Sequence, residues 1–287
     1  MQISTFHSFC NDVLADNVLD SGIGIGSGVI NRSSLLVWAL KHIDTFGFEH
    51  IELGNNAVNV IEAMVDGIST FKDELITPDE LADYLDKKLN GEKKLVEDVI
   101  QIDYLQKLCD LHKLYVKHQE YLRRSRLIDF DDMVSLTIQL FHKKPNVLSK
   151  YQNQFKHVLV DEFQDNNYAQ LELVKLLAPS GDITVVGDDD QSIYRFQGAY
   201  VANFKHFVES YDNKVKTVIL KQNYRSTKNI VNLASQLLSH VSNRQVKELF
   251  SENEDGDKVS VVQCGHDMAE VEYVVSKNSL NFRHKNQ

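Results

Sequence analysis

The chain has 287 residues, of which 43% are hydrophobic and 25% charged, as is usual for soluble folded domains. It carries 31 basic and 41 acidic residues, and the net charge of −10 argues mildly against a nucleic-acid partner unless basic residues are locally concentrated. No apolar run approaches the roughly 18 residues of a membrane span, and the N-terminus lacks the features of a secretory signal. The three cysteines are widely spaced, which predicts a cytoplasmic protein without a disulfide frame or a zinc site. Since no apolar run could span a membrane, no membrane partner is expected.

The N-terminal half is predicted to be mainly helical. A helix follows Thr5, and the glycine-dense residues 21–28 (SGIGIGSG) then form a loop, because the run lacks the Gly-Lys-Ser/Thr ending of a phosphate-binding loop. Helices dominate from Ser33 to Leu122. One of them is predicted to start at Thr77-Pro78-Asp79-Glu80, with Thr77 as N-cap and Glu80 closing a capping box.

A long amphipathic helix is predicted to end near Leu122. Its apolar stripe is interpreted as core packing. The stripe consists of Leu95, Val99, Ile102, Leu105, Leu108, Tyr115, His118 and Leu122. Asp129-Phe130-Asp131-Asp132 then begins a further helix that runs to about His142. Acidic residues at a helix start are favoured by the helix dipole, so this segment is assigned no direct chemistry.

From Phe155 onward, strands and helices alternate, which predicts a parallel sheet with crossover helices. Strands are expected near Val158, Val185, Val218 and Val259–Val262, and helices at 167–178, 199–210 and 226–240. The ends of such strands are where open α/β sheets bind ligands, and three of them carry polar residues suited to phosphate chemistry.

The first of these ends is Asp161-Glu162, which follows the apolar run of KHVLVDEFQD. Hydrolytic phosphoryl transfer needs a cation on the phosphate oxygens and a base that orients water. Asp161 is predicted to bind Mg²⁺ and Glu162 to orient the water. An isolated Asp-Glu pair would more often belong to a solvated loop, but the preceding buried strand makes that interpretation the minor one.

The second end is ITVVGDDDQSIYRFQGA, in which Gln191 follows an acidic turn. Its amide can both donate and accept hydrogen bonds, as a sensor of phosphate and water must. Tyr194 and Phe196 are predicted to stack on the bases of a single strand, with ordinary core burial of Phe196 as the alternative.

The third end is VILKQNYRST, in which Tyr224 and Arg225 precede a helix. A guanidinium can bond two phosphate oxygens, and a tyrosine ring can stack on adenine. The alternative, a helix N-terminus opened by Ser226 and Thr227, is compatible with this function.

These three blocks together resemble motifs II, III and IV of superfamily 1 DNA helicases of the UvrD/PcrA/Rep type. Ser4-Thr5-Phe6-His7-Ser8-Phe9 resembles motif Ia, which implies contact of Phe6 and His7 with the DNA strand. The resemblance implies that Gln191 senses the γ-phosphate and that Arg225 acts as an arginine finger. Gln197 stands where the family commonly has arginine. In the family this arginine links the nucleotide state to DNA contact, so the resemblance does not say which residue makes that link here.

The resemblance implies a RecA-like α/β fold of the P-loop NTPase type. Residues 1–45 and 129–216 would form a partial first motor domain, 46–128 a helical insertion domain, and 217–287 the beginning of a second motor domain. The implied activity is ATP- and Mg²⁺-dependent 3′ to 5′ translocation on single-stranded DNA with unwinding of duplex, in repair or replication restart. The implied partners are single-stranded DNA and its junctions with duplex.

One required element is missing from the 287 residues: Gly-x-x-x-x-Gly-Lys-Ser/Thr does not occur. The expectation is therefore a fragment of a helicase, with its phosphate loop and later motifs outside the chain, and without ATPase activity by itself. The alternative is a non-catalytic DNA-binding or interaction module derived from such a helicase.

Overall fold

The computed structural model describes residues 1–24, 26–90, 99–191, 203–211, 214–240 and 247–284. The chain divides into two compact units, Met1–Val215 (unit 1) and Lys216–Gln287 (unit 2). Both helices and small parallel sheets are present. The α-helices described in unit 1 are α1 (Phe6–Asp16), α2 (Val18–Ser21), α3 (Arg32–Lys41), α4 (Ala57–Asp73), α5 (Pro78–Asn90), α6 (Val99–Ser125), α7 (Phe130–Lys143), α8 (Pro145–Gln154), α9 (Tyr168–Leu177) and α10 (Asn203–Ser210).

Helix α1 forms where the sequence predicts it. The Thr5 hydroxyl accepts the N–H of Ser8 at 3.2 Å, which satisfies one of the free donors at the helix start. The buried face of α1 packs against α7, α8 and α9 in one apolar cluster. The fully buried members of this cluster include Cys10, Val13, Phe141 and Leu173.

Helices α3 to α6 share a second apolar cluster, called the helical core, which includes Ile61, Leu114 and Leu122. The predicted start of α5 is confirmed: Glu80 N–H donates to the Thr77 hydroxyl, and the Glu80 carboxylate accepts the N–H of Thr77 at 2.8 Å. Core packing is confirmed for five members of the predicted stripe of α6, namely Ile102, Leu105, Leu108, Tyr115 and Leu122. His118 is also buried, but it lies against Asp129. Leu35 and Ala39 of α3 also pack here, so the cluster begins on the N-terminal side of Phe46.

The acidic segment before α7 is a capping box, in which Asp129 and Asp132 each accept a backbone N–H from the other. The same two carboxylates pair with the buried Lys72 of α4; the Lys72 Nζ to Asp132 Oδ1 distance is 2.8 Å. Burial acts to lower the pKa of Lys72, but the charges of Asp132 and Asp129 outweigh it and raise the pKa above its ordinary value. This ion cluster therefore ties α4 to α7.

Two short parallel sheets complete unit 1. Strand β1 (Gly28–Val29) pairs with β2 (Leu127–Ile128), so the end of the glycine-rich segment, predicted as a loop, contributes a strand. Strands β3 (Val158–Val160) and β4 (Ile183–Val185) pair in register from Val158 with Ile183 to Val160 with Val185. The predictions of strands near Val158 and Val185 are confirmed, but the first strand is buried only at Val160, because Leu159 on its other face is 67% exposed. Apolar side chains from β3, β4, α9 and α10 form a third cluster, the strand core, around Phe163.

Unit 2 contains α11 (Lys228–Leu238), α12 (Asp267–His284) and a parallel bridge between Gln222 and Phe250. The predicted strands near Val218 and Val259–Val262 are wrong, because the structure has no regular element at either place. An extended apolar segment becomes a strand only when a neighbouring chain satisfies its backbone hydrogen bonds. Among the described residues of unit 2, no ladder partner supplies them.

Candidate functional site

Strand β3 delivers Asp161 and Glu162 to the exposed edge of the sheet. Directly after them, Phe163 is fully buried and contacts the rings of Phe204 and Phe207 at centroid distances of 5.3 Å. The chain must therefore turn sharply between an exposed pair and a buried ring, and Glu162 makes this turn with a left-handed backbone (φ 48°, ψ 44°). A left-handed conformation costs a non-glycine residue about 1–2 kcal/mol, which the burial of Phe163 offsets.

The two carboxylates are held differently. Asp161 Oδ1 accepts the N–H of Glu162 at 3.0 Å, and the side chain remains exposed. Glu162 Oε2 accepts the side-chain N–H of Gln164 at 2.7 Å. One exposed carboxylate suits Mg²⁺, which keeps several waters and takes further oxygen ligands from substrate phosphates.

The loop after β4 carries Gln191 to the same edge. Val186 N–H donates to Val160 O at 2.8 Å, and Phe163 N–H donates to Val186 O at 2.9 Å, so the sheet pairing continues into the loop. Gln191 is then fixed by Asp188, which accepts its side-chain N–H at 3.0 Å and its backbone N–H at 3.0 Å.

Gln164 joins these two segments. Its carbonyl Oε1 accepts the backbone N–H of Asp188 at 2.9 Å, while its Nε2 donates to Glu162. The structure thus connects Glu162, Gln164, Asp188 and Gln191 through consecutive hydrogen bonds. Tyr194, Phe196 and Gln197, which the sequence assigns to DNA contact or its coupling, lie outside the described residues.

The N-terminal candidates lie on α1. Phe6 is half-buried and packs against both the α1–α7 cluster and the strand core, whereas His7 is half-exposed. The His7 ring meets the ring of Phe130 edge-on, with centroids 5.9 Å apart and an interplanar angle of 78°. Phe130 is 50% exposed, so His7 and Phe130 together present an aromatic surface.

The candidates of unit 2 lie on a loop before α11. Asn223 Oδ1 accepts the backbone N–H groups of Arg225 (3.0 Å) and Ser226 (2.7 Å), and Asn253 donates to the carbonyls of Tyr224 and Ser226. The loop presents both the Tyr224 ring and the Arg225 guanidinium to solvent. Among the described residues no carboxylate pairs with Arg225, which leaves the guanidinium available for an anion.

Helix α11 begins at Lys228, with Thr227 as its N-cap residue but without a side-chain capping bond. The carbonyls of Glu254 and Asp255 accept the first helical N–H groups instead. Loop 223–226 is therefore held by the side chains of Ser251 and Asn253, and the start of α11 by the carbonyls of Glu254 and Asp255. The sequence did not predict either set of contacts.

Three contributors to these sites were missed: Gln164, Gly187 and Phe130. A Cβ at Gly187 would lie 2.4 Å from Gln164 Oε1, so the side-chain amide requires a glycine there. The sequence pattern shows neither this close approach nor the bridge, because both join the Gln164 side chain to backbone that lies 23 or 24 positions further along the chain. An aromatic residue between two acidic ones at a helix start was the available signal for Phe130.

A further polar contact extends from this region to α4. Asn167, the N-cap of α9, donates its side-chain N–H to Asp73 at the end of α4. Burial, together with the nearby charge of Asp131, raises the pKa of Asp73 to about 7.

Comparison with known proteins identifies the family of the chain. A profile of the UvrD/REP helicase N-terminal domain matches residues 1–212, and one of the UvrD-like helicase C-terminal domain matches residues 218–286. The chain therefore belongs to the UvrD/REP helicase family. No helix within the described ranges is long and apolar enough to span a membrane.

The relatives named below are DNA helicases. The chain is 37% identical over 281 residues to the ATP-dependent DNA helicase PcrA of Staphylococcus epidermidis, and 34% identical over 282 residues to that of Bacillus subtilis. It is 33% identical over 278 residues to DNA helicase II of Haemophilus influenzae. Each match covers 96% of this chain but 34% of the relative, so the chain spans about a third of their length.

Proposed function

We propose that the chain supplies part of an ATP-driven motor that moves 3′ to 5′ along single-stranded DNA and opens junctions with duplex. The observation that carries the proposal is the series of hydrogen bonds from Glu162 through Gln164 and Asp188 to Gln191. It holds a carboxylate and an amide at one sheet edge, as hydrolysis of a phosphoanhydride by an oriented water requires.

Each polar group has a distinct role in this proposal. Asp161 binds Mg²⁺, which neutralises charge on the phosphate oxygens, and Glu162 orients the water. Gln191 reads the γ-phosphate. Tyr224 stacks on adenine and Arg225 stabilises the charge that develops during transfer.

The proposed domains follow the sequence prediction. Residues 1–45 and 129–216 belong to a first RecA-like domain, 46–128 to a helical insertion and 217–287 to a second RecA-like domain. Phe6, His7, Tyr194 and Phe196 contact the strand, and Phe130 joins them because it lies against His7 and is half exposed. Aromatic stacking contributes about 1–3 kcal/mol per base.

DNA binding is tested with the purified chain and a fluorescent oligo(dT) by anisotropy. We expect weak binding that falls as salt rises, because phosphate contacts release counterions. Phe196→Ala should lower the affinity, whereas Tyr104→Ala, which removes an exposed ring in α6, should not. Absence of binding at low salt contradicts the DNA proposal, and unchanged affinity in Phe196→Ala removes Phe196 from the site.

Catalysis is tested by phosphate release from Mg²⁺-ATP. We expect none above background from this chain, because its sequence has no loop to cradle the phosphates. Steady release that single-stranded DNA stimulates and Glu162→Gln abolishes would show that the chain is itself an ATPase. DNA binding without hydrolysis also fits the second candidate, a binding module, which the missing loop favours.

A further inference from the structure

We propose that the Gln164 side chain is a positioning group that orients the Glu162 carboxylate and transmits movement of the Gln191 loop to it. This inference rests on the proposed function, since it gives Glu162 a catalytic orientation to maintain. Gln164 itself would touch neither nucleotide nor water. It acts through the two groups to which its amide is hydrogen-bonded, the Glu162 carboxylate and the Asp188 backbone N–H.

The geometry uses both ends of one amide. Nε2 donates to Glu162 Oε2 at 2.7 Å, and Oε1 accepts the N–H of Asp188 at 2.9 Å. Gln164 is 3% exposed, whereas Glu162 is exposed, so the amide is shielded from water at its own end of each hydrogen bond. The partners also fix the amide orientation, because a flipped amide would set a donor against the N–H and an acceptor against the carboxylate.

No other side chain of this length offers the same pair of groups. Glutamate would keep the acceptor, lose the donor and place a second negative charge beside Glu162. Methionine has nearly the same shape but cannot make either hydrogen bond. The requirement is therefore for a neutral primary amide, which is a chemical demand beyond the filling of space.

The loop is built to follow this amide closely. Gly187 leaves room for Gln164 Oε1, and Asp188 holds both the backbone and the side chain of Gln191. When a ligand displaces Gln191, Asp188 moves with it, and the amide of Gln164 must either follow or lose its hydrogen bond to the Asp188 N–H. Leaving a largely buried amide unpaired is unfavourable, so the Gln164 side chain follows and the Glu162 carboxylate moves with it.

One oxygen of the Glu162 carboxylate is held by Gln164 and the other is not. Its Oε2 is occupied by Gln164, while Oε1 has no hydrogen-bond partner among the described residues of the chain. The left-handed backbone of Glu162 limits the directions in which the side chain can point. Together these constraints aim one oxygen outward from the sheet edge, where an attacking water would be held.

The test is a double-mutant cycle read by NMR of the uniformly ¹⁵N-labelled 287-residue chain, without nucleotide or DNA. Glu162→Gln should shift the backbone amide resonance of Asp188 in the wild-type background. In the Gln164→Met background the same change should shift it about fivefold less, because the connecting bonds are gone. Equal shifts in the two backgrounds would overturn the inference.

Gln152→Met is the matched control. The Gln152 side chain donates to the carbonyl of Leu176 at 2.8 Å and is also partly buried, but it has no bond to the sheet edge. It should leave the Asp188 response at its wild-type size. If the shift of the Asp188 resonance falls as much as it does in Gln164→Met, the loss comes from reduced packing in general and not from the two hydrogen bonds of Gln164. That result would also overturn the inference.

A measurement without any substitution at Gln164 covers the case in which Gln164→Met does not fold. The side-chain NH₂ resonances of Gln164 should shift when Glu162 is changed to Gln, and unchanged resonances would contradict the bond. The cycle involves no ATP or DNA, so its failure would remove the hydrogen-bonded link from Glu162 to Gln191 and the structural support that this link gives to the motor proposal, while the DNA-binding experiment would still test that function separately. Conversely, if the chain does not bind DNA, the hydrogen bonds of Gln164 can still be present, but the function proposed for them is contradicted.

Discussion

The two units of the chain hold their candidate loops by different forces. In unit 1 the Asp161-Glu162 turn is fixed by Phe163, a fully buried ring in an apolar cluster, and by the buried amide of Gln164. In unit 2, Val231 is the one buried hydrophobic residue among those described, while Val261 is 93% exposed. The loop with Tyr224 and Arg225 depends instead on hydrogen bonds that Asn223 accepts and Asn253 donates. Unit 1 therefore carries most of the apolar stabilisation, and the expected effects below test this difference.

The largest effect is expected for Lys72→Met in unit 1. The change leaves Asp129 and Asp132 buried without their cation, which typically costs about 3–5 kcal/mol. Urea denaturation followed by the fluorescence of Trp38, the one tryptophan, measures it, because that ring stacks on Tyr121 at 4.4 Å in the helical core. Lys107→Met is the control: its pair with Asp103 is exposed, and the expected loss is below about 1 kcal/mol. Similar losses would show that the buried pair is not a major tie.

A second large effect is expected for Leu173→Ala on α9. This leucine has 0% exposure, and truncation of a buried leucine removes about 2–5 kcal/mol through lost transfer free energy and the resulting cavity. The free energy of unfolding from far-UV circular dichroism gives the value. A loss below about 1 kcal/mol would mean that the cluster around α7 is loosely packed.

Asp73→Asn should stabilise the protein, and more at high pH. The pKa of Asp73 in the folded chain is about 7, well above its unfolded value of 3.8, so the folded state holds the proton more tightly. Stability from this group is complete below pH 4 and is lost as the pH rises through 7. Allowing for partial exposure, we expect a gain of about 1–3 kcal/mol at pH 8 and almost none at pH 4. A gain independent of pH would assign the effect to something other than this proton.

The smallest effect is expected for Leu237→Ala, the counterpart of Leu173→Ala in unit 2. Leu237 is 71% exposed, and substitutions at such positions usually change stability by less than about 0.5 kcal/mol. The same denaturation experiment measures both leucines. A loss as large as that of Leu173→Ala would show that this face of α11 is covered in solution, and the comparison between the units would fail.

Local signals in the sequence predicted much of unit 1. Thr5, Thr77 and Asp129 mark helix starts because their side chains satisfy backbone donors within a few residues, and this chemistry is visible in a short stretch of sequence. The strands around Val158 and Val185 were predicted for a related reason: each is an apolar run that ends in polar residues. The pattern predicted the strands but not their burial, because Val160 is the one buried residue of the two strands and Leu159 is 67% exposed.

The failures have a common physical cause. The segments around Val218 and Val259 have strand composition, but a strand also needs a partner, and composition does not show whether one is present. The bridge by Gln164 was missed because it joins Glu162 to Asp188, 26 positions apart, through a side chain whose direction is set only by the folded sheet edge.

At position 162, folding stability and the proposed catalytic role favour different residues. Glycine would adopt a φ of 48° without steric penalty, so the carboxylate is present at a cost to folding of about 1 kcal/mol or more. A redesign guided by thermal tolerance alone would replace this residue early, and the resulting protein would resist heat better while losing the group proposed to activate water. Screens for hardier variants of this chain should therefore hold position 162 fixed.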